Sequence, residues 1–118
     1  MAQEPAPVDP DSDEAAEIRS DFGDGVNMTP KALREWLGTE ESESVGQKDG
    51  DESVGHEMGR HIVDILEKRT RELTPEDLGR MKKVNGYIAR HSQQRPNGDV
   101  TETRWRFSLM NWGHDPLK

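Results

Sequence analysis

Apolar side chains recur at three- and four-residue intervals in four stretches of the chain, and each stretch is bounded by residues typical of helix ends. In the first, NMTPKALREWLG, Thr29 suits the N-cap, Pro30 the first helical position and Gly38 a left-handed stop. The apolar face consists of Ala32, Leu33, Trp36 and Leu37. The pattern predicts a short helix that needs tertiary packing to persist.

Two longer helices are predicted in the middle of the chain. One begins after Ser53, which suits the cap, and runs to about Arg69; its apolar positions are Met58, Ile62, Ile65 and Leu66. The other begins at Thr74 and Pro75, where Asp77 is able to bond back to the cap residue. Its buried stripe consists of Leu78, Met81, Val84 and Ile88.

The last helix is predicted within VTETRWRFSLMNWG, where Trp105, Leu109 and Trp112 share a face and Gly113 suits the stop. No stretch alternates apolar and polar residues as a strand would. We therefore predict an all-α fold, a small bundle of about four helices, in a single helical domain over residues 26–118.

The charge of the chain is divided along its length. The net charge is −8, and residues 1–25 contribute −7 of it, because eight acids there face one base, Arg19. These acids are Glu4, Asp9, Asp11, Asp13, Glu14, Glu17, Asp21 and Asp24. A segment so acidic and rich in Pro and Ala buries little apolar surface, so residues 1–25 are predicted to be an acidic disordered tail.

Composition narrows the class of protein. A chain of 118 residues has room for one small domain, and the absence of Cys excludes disulfides and thiol chemistry. The first residues lack the basic and apolar regions of a signal peptide, and no run approaches ~20 apolar residues. We expect a cytoplasmic protein with no membrane partner.

The stretch ESVGHEMGRHIVDIL resembles a zinc-hydrolase helix at first sight, but the spacing of its histidines argues against a metal. Zinc-binding helices carry histidines four residues apart, on one face. His56 and His61 are five apart, which at ~100° per residue places them roughly 140° apart. We therefore predict no metal site, no cofactor and no enzymatic activity, with a hydrolase as the third hypothesis.

A basic helix face is the better candidate for a binding site. Residues 78–106 carry seven bases against two acids, a local charge of +5. On the predicted helix from Pro75, one face holds Arg80, Lys83, Tyr87 and Arg90, with Lys82 beside it; Arg104 and Arg106 extend the set, and Arg95 is a further member. Such a face neutralises phosphates while the aromatic ring stacks on a base. The alternatives are an ordinary solvated face or a surface for an acidic protein partner.

Four stretches resemble a known family: MTPKALREWLGTEES, ESVGHEMGRHIVDIL, MKKVNGYIARHSQQRPNGDV and TRWRFSLMNWGHDPLK. Together, over about residues 26–118, they are similar to domain-of-unknown-function family 3140 of bacteria, haloarchaea and fungi. An aromatic residue often follows the first SVG of that family, where this chain has Gln47. The signature positions, whose role the resemblance does not give, are Ser53, Gly55, His56, Glu57, Arg60, Trp112, Gly113, His114 and Asp115.

The resemblance implies no activity, but some members are labelled DNA-binding, which favours association with nucleic acid. The leading hypothesis is a non-enzymatic, nucleic-acid-associated module, with DNA or RNA as partner and a nucleoid location if DNA is bound. The alternative is a protein-interaction or stress-related accessory module that acts through the acidic loop of residues 39–55 or through an apolar patch. The oligomeric state is left open, and so is the role of the acidic tail, as a competitor for the basic face or a solubilising extension.

Overall fold

The computed structural model describes residues 6–45 and 54–118, and within these two ranges all regular secondary structure is helical. The described residues form six α-helices and one turn of 3₁₀-helix at Thr70–Glu72. The α-helices are α1 (Asp13–Gly25), α2 (Pro30–Leu37), α3 (Glu40–Ser44), α4 (Val54–Leu66), α5 (Pro75–Ser92) and α6 (Arg104–Asn111). The all-α prediction is therefore confirmed, with six helices in place of about four. The two additional helices are α1, in the predicted tail, and α3, in the part of the predicted acidic loop of residues 39–55 that the structure describes as helical.

Two helices begin at the capping residues that the sequence predicted. The Thr29 hydroxyl accepts the Ala32 amide at 3.1 Å, with Pro30 at the first helical position of α2. At α5, Thr74 and Asp77 form a reciprocal capping box. Cap chemistry acts over three residues, so tertiary structure changes it little.

The helix ends are less regular than predicted. Gly113 has φ +82° as a left-handed stop requires, but it lies two residues beyond α6. Gly38 ends α2 with φ −86°, in a conformation open to any residue, so the prediction of a left-handed stop there is wrong. α4 ends at Leu66, before the predicted Arg69.

The largest difference from the prediction is at residues 13–25, where the structure has the helix α1 and the sequence predicted a disordered tail. Ser12 caps it by accepting the Ala15 amide, and Ala15, Ile18 and Phe22 are buried against α5. These apolar residues recur at intervals of three and four, and they are enough to hold the helix in place because α5 supplies the surface on which they are buried. Residues 1–5 lie outside the described residues.

The core lies between two helix pairs, which are linked by α6 and by direct contact of α4 with α5. α1 packs along α5, α2 packs along α4, and α6 contacts α2, α3, α4 and α5. One apolar cluster includes residues of α1, α2, α4 and α5, together with Trp112. A second, small cluster of Val100, Trp105 and Leu109 lies at the start of α6. No helix in the described ranges is long and apolar enough to cross a bilayer.

Candidate nucleic-acid interface

The aromatic member of the predicted basic face, Tyr87, is engaged inside the protein. Its ring stacks on Trp112 with centroids 4.1 Å apart and on His91 at 5.0 Å. Burial raises the pKa of Tyr87, an effect that a hydrogen bond with Ser108 partly offsets. The ring therefore belongs to a column of aromatic side chains that ties α5 to α6, and it is poorly placed to stack on a nucleobase.

Arg106 is held by the protein itself. Its guanidinium forms two hydrogen bonds to the Asp115 carboxylate, at 3.1 and 3.2 Å, and donates to the Thr101 carbonyl at 2.9 Å. Burial raises the pKa of Asp115, but hydrogen bonds from Arg106 and the Leu117 amide outweigh it, so the net shift is downward. The paired charges of this fork–fork contact fix the C-terminal segment to α6.

Two further members of the face lie beside acids. Lys82 forms an ion pair with Glu14 of α1 at 2.7 Å, which places the acidic helix directly beside α5. The side chain of Arg80 is only 18% exposed, and its nearest nitrogen lies 3.9 Å from Asp77. Asp77 also binds Lys68 at 2.7 Å, and although burial raises its pKa, the Lys68 and Thr74 hydrogen bonds give a net downward shift.

Four cations of the set remain, and we call Lys83, Arg90, Arg95 and Arg104 the basic edge; the three arginines are exposed and Lys83 is partly exposed. The C-terminal end of α5 and the N-terminal end of α6 meet there, because the Trp105 indole N–H donates to the His91 carbonyl at 2.7 Å. Arg95 lies over the Trp105 ring, 5.5 Å from its centroid. Within residues 6–45 and 54–118, no carboxylate oxygen lies within 4.0 Å of these four side chains.

The NWGHDPLK motif holds the C-terminal segment against the loop between α1 and α2. The Gly113 carbonyl accepts the Asn27 and Met28 amides, and an added Cβ on Gly113 would lie 2.9 Å from Val26. His114 donates from Nδ1 to the Gly25 carbonyl at 2.7 Å. Further pairs join the Asp115 backbone to the Asn27 side chain and Lys118 to the Asn27 carbonyl. The motif is accounted for by these contacts.

The SVGHEMGR motif brings α4 close to α2 and α6. His56 donates from Nε2 to the Leu37 carbonyl at 2.6 Å, and an added Cβ on Gly55 would lie 3.1 Å from the Trp112 indole nitrogen. Arg60 is exposed on α4, and Glu57 lies 3.9 Å from His61 one turn later. Ser53 lies outside the described residues.

A buried polar node that the sequence did not reveal joins α2, α3 and α6. The Asn111 side-chain oxygen accepts the Trp36 indole N–H at 2.8 Å and the Ser42 hydroxyl, and its amide donates to the Ser42 carbonyl. Asn111 is 1% and Ser42 0% exposed. The position of Asn111 directly before a buried Trp was the one feature of the sequence that hinted at a buried polar group. The partners of Asn111 could not be predicted, because they are 69 and 75 residues away along the chain.

No three His, Cys, Asp or Glu side chains of the described ranges come together so as to hold a metal ion. His91 is placed unusually for a titratable group, since its buried Nε2 has no hydrogen-bond partner among the described residues. Burial lowers the pKa of His91, partly offset by Gln94. The imidazole stacks on Tyr87 and is a member of the aromatic column.

The comparison with protein families gives a match to the family described as "Protein of unknown function (DUF3140)", over residues 21–110. The chain belongs to the DUF3140 family. The DUF3140 match starts within α1, so part of the acidic segment belongs to the matched region, and it ends just before Asn111. No curated protein and no solved structure matches this DUF3140 chain.

Proposed function

We propose that the protein is a non-enzymatic module that binds nucleic acid, DNA foremost, through the basic edge of Lys83, Arg90, Arg95 and Arg104. The observation that carries the proposal is the contrast between these side chains and the other bases of the region. Arg106 and Lys82 are paired with carboxylates, whereas no carboxylate of the described residues lies within ion-pair distance of the basic edge. A cytoplasmic, nucleoid-associated location follows from this proposal.

The charges suit the phosphate backbone better than the bases. Lysine and arginine bind phosphate oxygens without reading sequence, and each phosphate neutralised releases condensed counterions. Tyr87, the predicted stacking residue, is engaged with Trp112, so base stacking adds little. We therefore expect binding that is independent of sequence, with a dissociation constant of about 1–100 μM at physiological salt.

The salt dependence follows from the number of cations. Four phosphate contacts give a slope of log affinity against log salt of about −3.6 on duplex DNA, which corresponds to a loss of roughly 100-fold between about 50 and 200 mM salt. Single strands have a smaller slope per phosphate. A steeper dependence would indicate that bases outside the basic edge take part.

An apolar patch, one route to the alternative function in protein interaction, has little support. Among the described residues, Leu117 is the large hydrophobic side chain that is strongly exposed, at 46%. Trp36 is partly buried and donates its indole N–H to Asn111, and Phe107 packs beside it with ring centroids 5.5 Å apart. An interface of usual size needs more apolar surface than a single leucine.

The experiment is a fluorescence-anisotropy titration of labelled duplex DNA, single-stranded DNA and RNA with the full chain, at about 50 and 200 mM salt. The test variant combines Lys83→Ala with Arg90→Ala. The matched control combines Lys31→Ala with Arg71→Ala, which removes the same charge from exposed positions on α2 and the 3₁₀ turn. We expect the test variant to bind duplex DNA more weakly and to reduce the slope by about 1.8, with a much smaller effect of the control.

Two results would overturn the proposal. One is the absence of binding to all three nucleic acids at the lower salt concentration. The other is an equal loss of affinity in the test and control variants, which would show that net charge matters and the basic edge does not. In the first case, a pull-down for protein partners follows.

A further inference from the structure

The acidic helix α1 lies along α5, which contributes two cations of the basic edge, and the two helices run in the same direction. Near the beginning of α1, Glu14 pairs with Lys82 at 2.7 Å. At its end, a Cβ added to Gly25 would lie 3.4 Å from the Ile88 side chain. The C-terminal end of α1 therefore flanks the part of α5 that carries Arg90.

Exposed acids at intervals of three, four and three residues form one face of α1, which we call the acidic stripe: Glu14, Glu17, Asp21 and Asp24. Its first acid is the partner of Lys82. Its last two acids line a cleft of about 280 Å³ together with Ala89, the residue before Arg90. The acidic stripe therefore borders α5 from Lys82 to the position next to Arg90.

Apolar contacts hold α1 in this position more firmly than its charges do. Ala15, Ile18 and Phe22 are buried against α5. The side-chain amide of Asn85 adds a hydrogen bond to the Ile18 carbonyl, at 3.1 Å. The ion pair at the start of the acidic stripe leaves half or more of both side chains exposed, so it contributes little to stability. A phosphate that competes for Lys82 therefore meets an acidic helix that stays in place.

We propose that the acidic stripe is a fixed electrostatic brake on the binding of nucleic acid by the basic edge. Glu14 keeps Lys82 from contacting a phosphate, so Lys82 does not extend the basic edge. Asp21 and Asp24 repel phosphates that approach Arg90, because neighbouring surfaces of a helix about 10–12 Å wide lie within a Debye length at low salt. The inference rests on the proposed function and adds to it a control of affinity that is built into the fold.

The experiment measures the affinity of full-length variants for duplex DNA by fluorescence anisotropy. Glu14→Gln releases Lys82, and one further phosphate contact steepens the slope of log affinity against log salt by about 0.9. We expect affinity to rise about tenfold at about 50 mM salt and about threefold at about 200 mM. Adding Lys82→Ala to Glu14→Gln should abolish this gain. The matched control, Glu35→Gln, removes the same charge from an exposed position on α2, and we expect it to change affinity less than about twofold.

A second pair of variants tests repulsion without the release of a cation. We expect Asp21→Asn combined with Asp24→Asn to raise affinity about threefold at about 50 mM salt and less than about 1.5-fold at about 200 mM, because salt screens exposed charges. The control combines Glu35→Gln with Glu41→Gln, at exposed positions on α2 and α3, and should have a smaller effect. Far-ultraviolet circular dichroism shows whether each variant is folded.

Hydrogen exchange of the wild type shows whether α1 acts in place. We expect the Ile18 and Phe22 amides to be as protected in the DNA complex as in the free protein, and loss of this protection would overturn the fixed brake. The brake also fails, with the proposed function intact, if the wild type binds DNA and both stripe variants behave as their controls do. A gain of Glu14→Gln that survives Lys82→Ala has the same meaning. If neither the wild type nor any variant binds at about 50 mM salt, the brake and the proposed function are both wrong.

Discussion

Gly59 of α4 provides the sharpest test of how the helices pack. A Cβ added there would lie 2.7 Å from the Asn111 carbonyl oxygen and 2.7 Å from a methyl carbon of Leu37. The carbonyl belongs to the last residue of α6, so relief of the clash requires a shift of that helix. Overpacking of this kind costs about 1–3 kcal/mol, and contact with backbone belongs at the upper end. Since alanine gains about 1 kcal/mol in helix propensity, we expect Gly59→Ala to lose about 2 kcal/mol net.

The matched control is Gly86→Ala on α5. A Cβ at Gly86 would meet the flexible end of the Arg90 side chain, at 3.0 Å, and no backbone atom of the described residues within 4 Å outside its own helix. Helix propensity then dominates, and we expect a gain of about 1 kcal/mol. Urea unfolding followed by circular dichroism gives both free energies of unfolding. If Gly59→Ala were as stable as the wild type, the close approach of α4 to α6 would be refuted.

Three other changes test separate parts of the structure by urea unfolding. Phe22→Ala should lose about 3–5 kcal/mol because the ring is buried, whereas a disordered acidic tail would give no change. Asn111→Ala should lose about 2–4 kcal/mol, since the Trp36 N–H and the Ser42 hydroxyl are left unpaired, and a loss below about 1 kcal/mol would contradict the node. Burial lowers the pKa of His91, so the unfolded chain takes up a proton first and stability falls as the pH drops below about 6.5. We expect His91→Gln to reduce the loss of stability between about pH 7.5 and 5.5, and an unchanged pH dependence would contradict this.

The sequence predicts local features of the fold well and distant partners poorly. The caps at Thr29 and Thr74 involve contacts within three residues, and both are confirmed. α1 was missed because its acidic composition outweighed the spacing of Ala15, Ile18 and Phe22, and because the surface that buries them, on α5, lies about 60 residues further along the chain.

For the candidate site, too, the sequence predicted local spacing but not contacts with distant residues. Helical spacing places Lys83, Tyr87 and Arg90 on neighbouring parts of one helix, but it does not say which of them another element covers. Trp112, from the segment after α6, stacks on Tyr87. This contact separates Tyr87 from the cations of the basic edge. Arg106 is likewise unavailable to a phosphate, because its guanidinium is paired with Asp115. The residues around Asp115 in the sequence do not indicate this pairing.

The motifs that distinguish the chain as a sequence are largely explained by packing. Gly113 adopts a positive φ, Gly55 and Gly59 allow α4 to approach Trp112 and α6, and His56 donates to the Leu37 carbonyl. Such residues are restricted by the fold whatever the protein binds. The cations of the basic edge have no carboxylate partner among the described residues, so a phosphate-binding role has to be tested on Lys83 and Arg90.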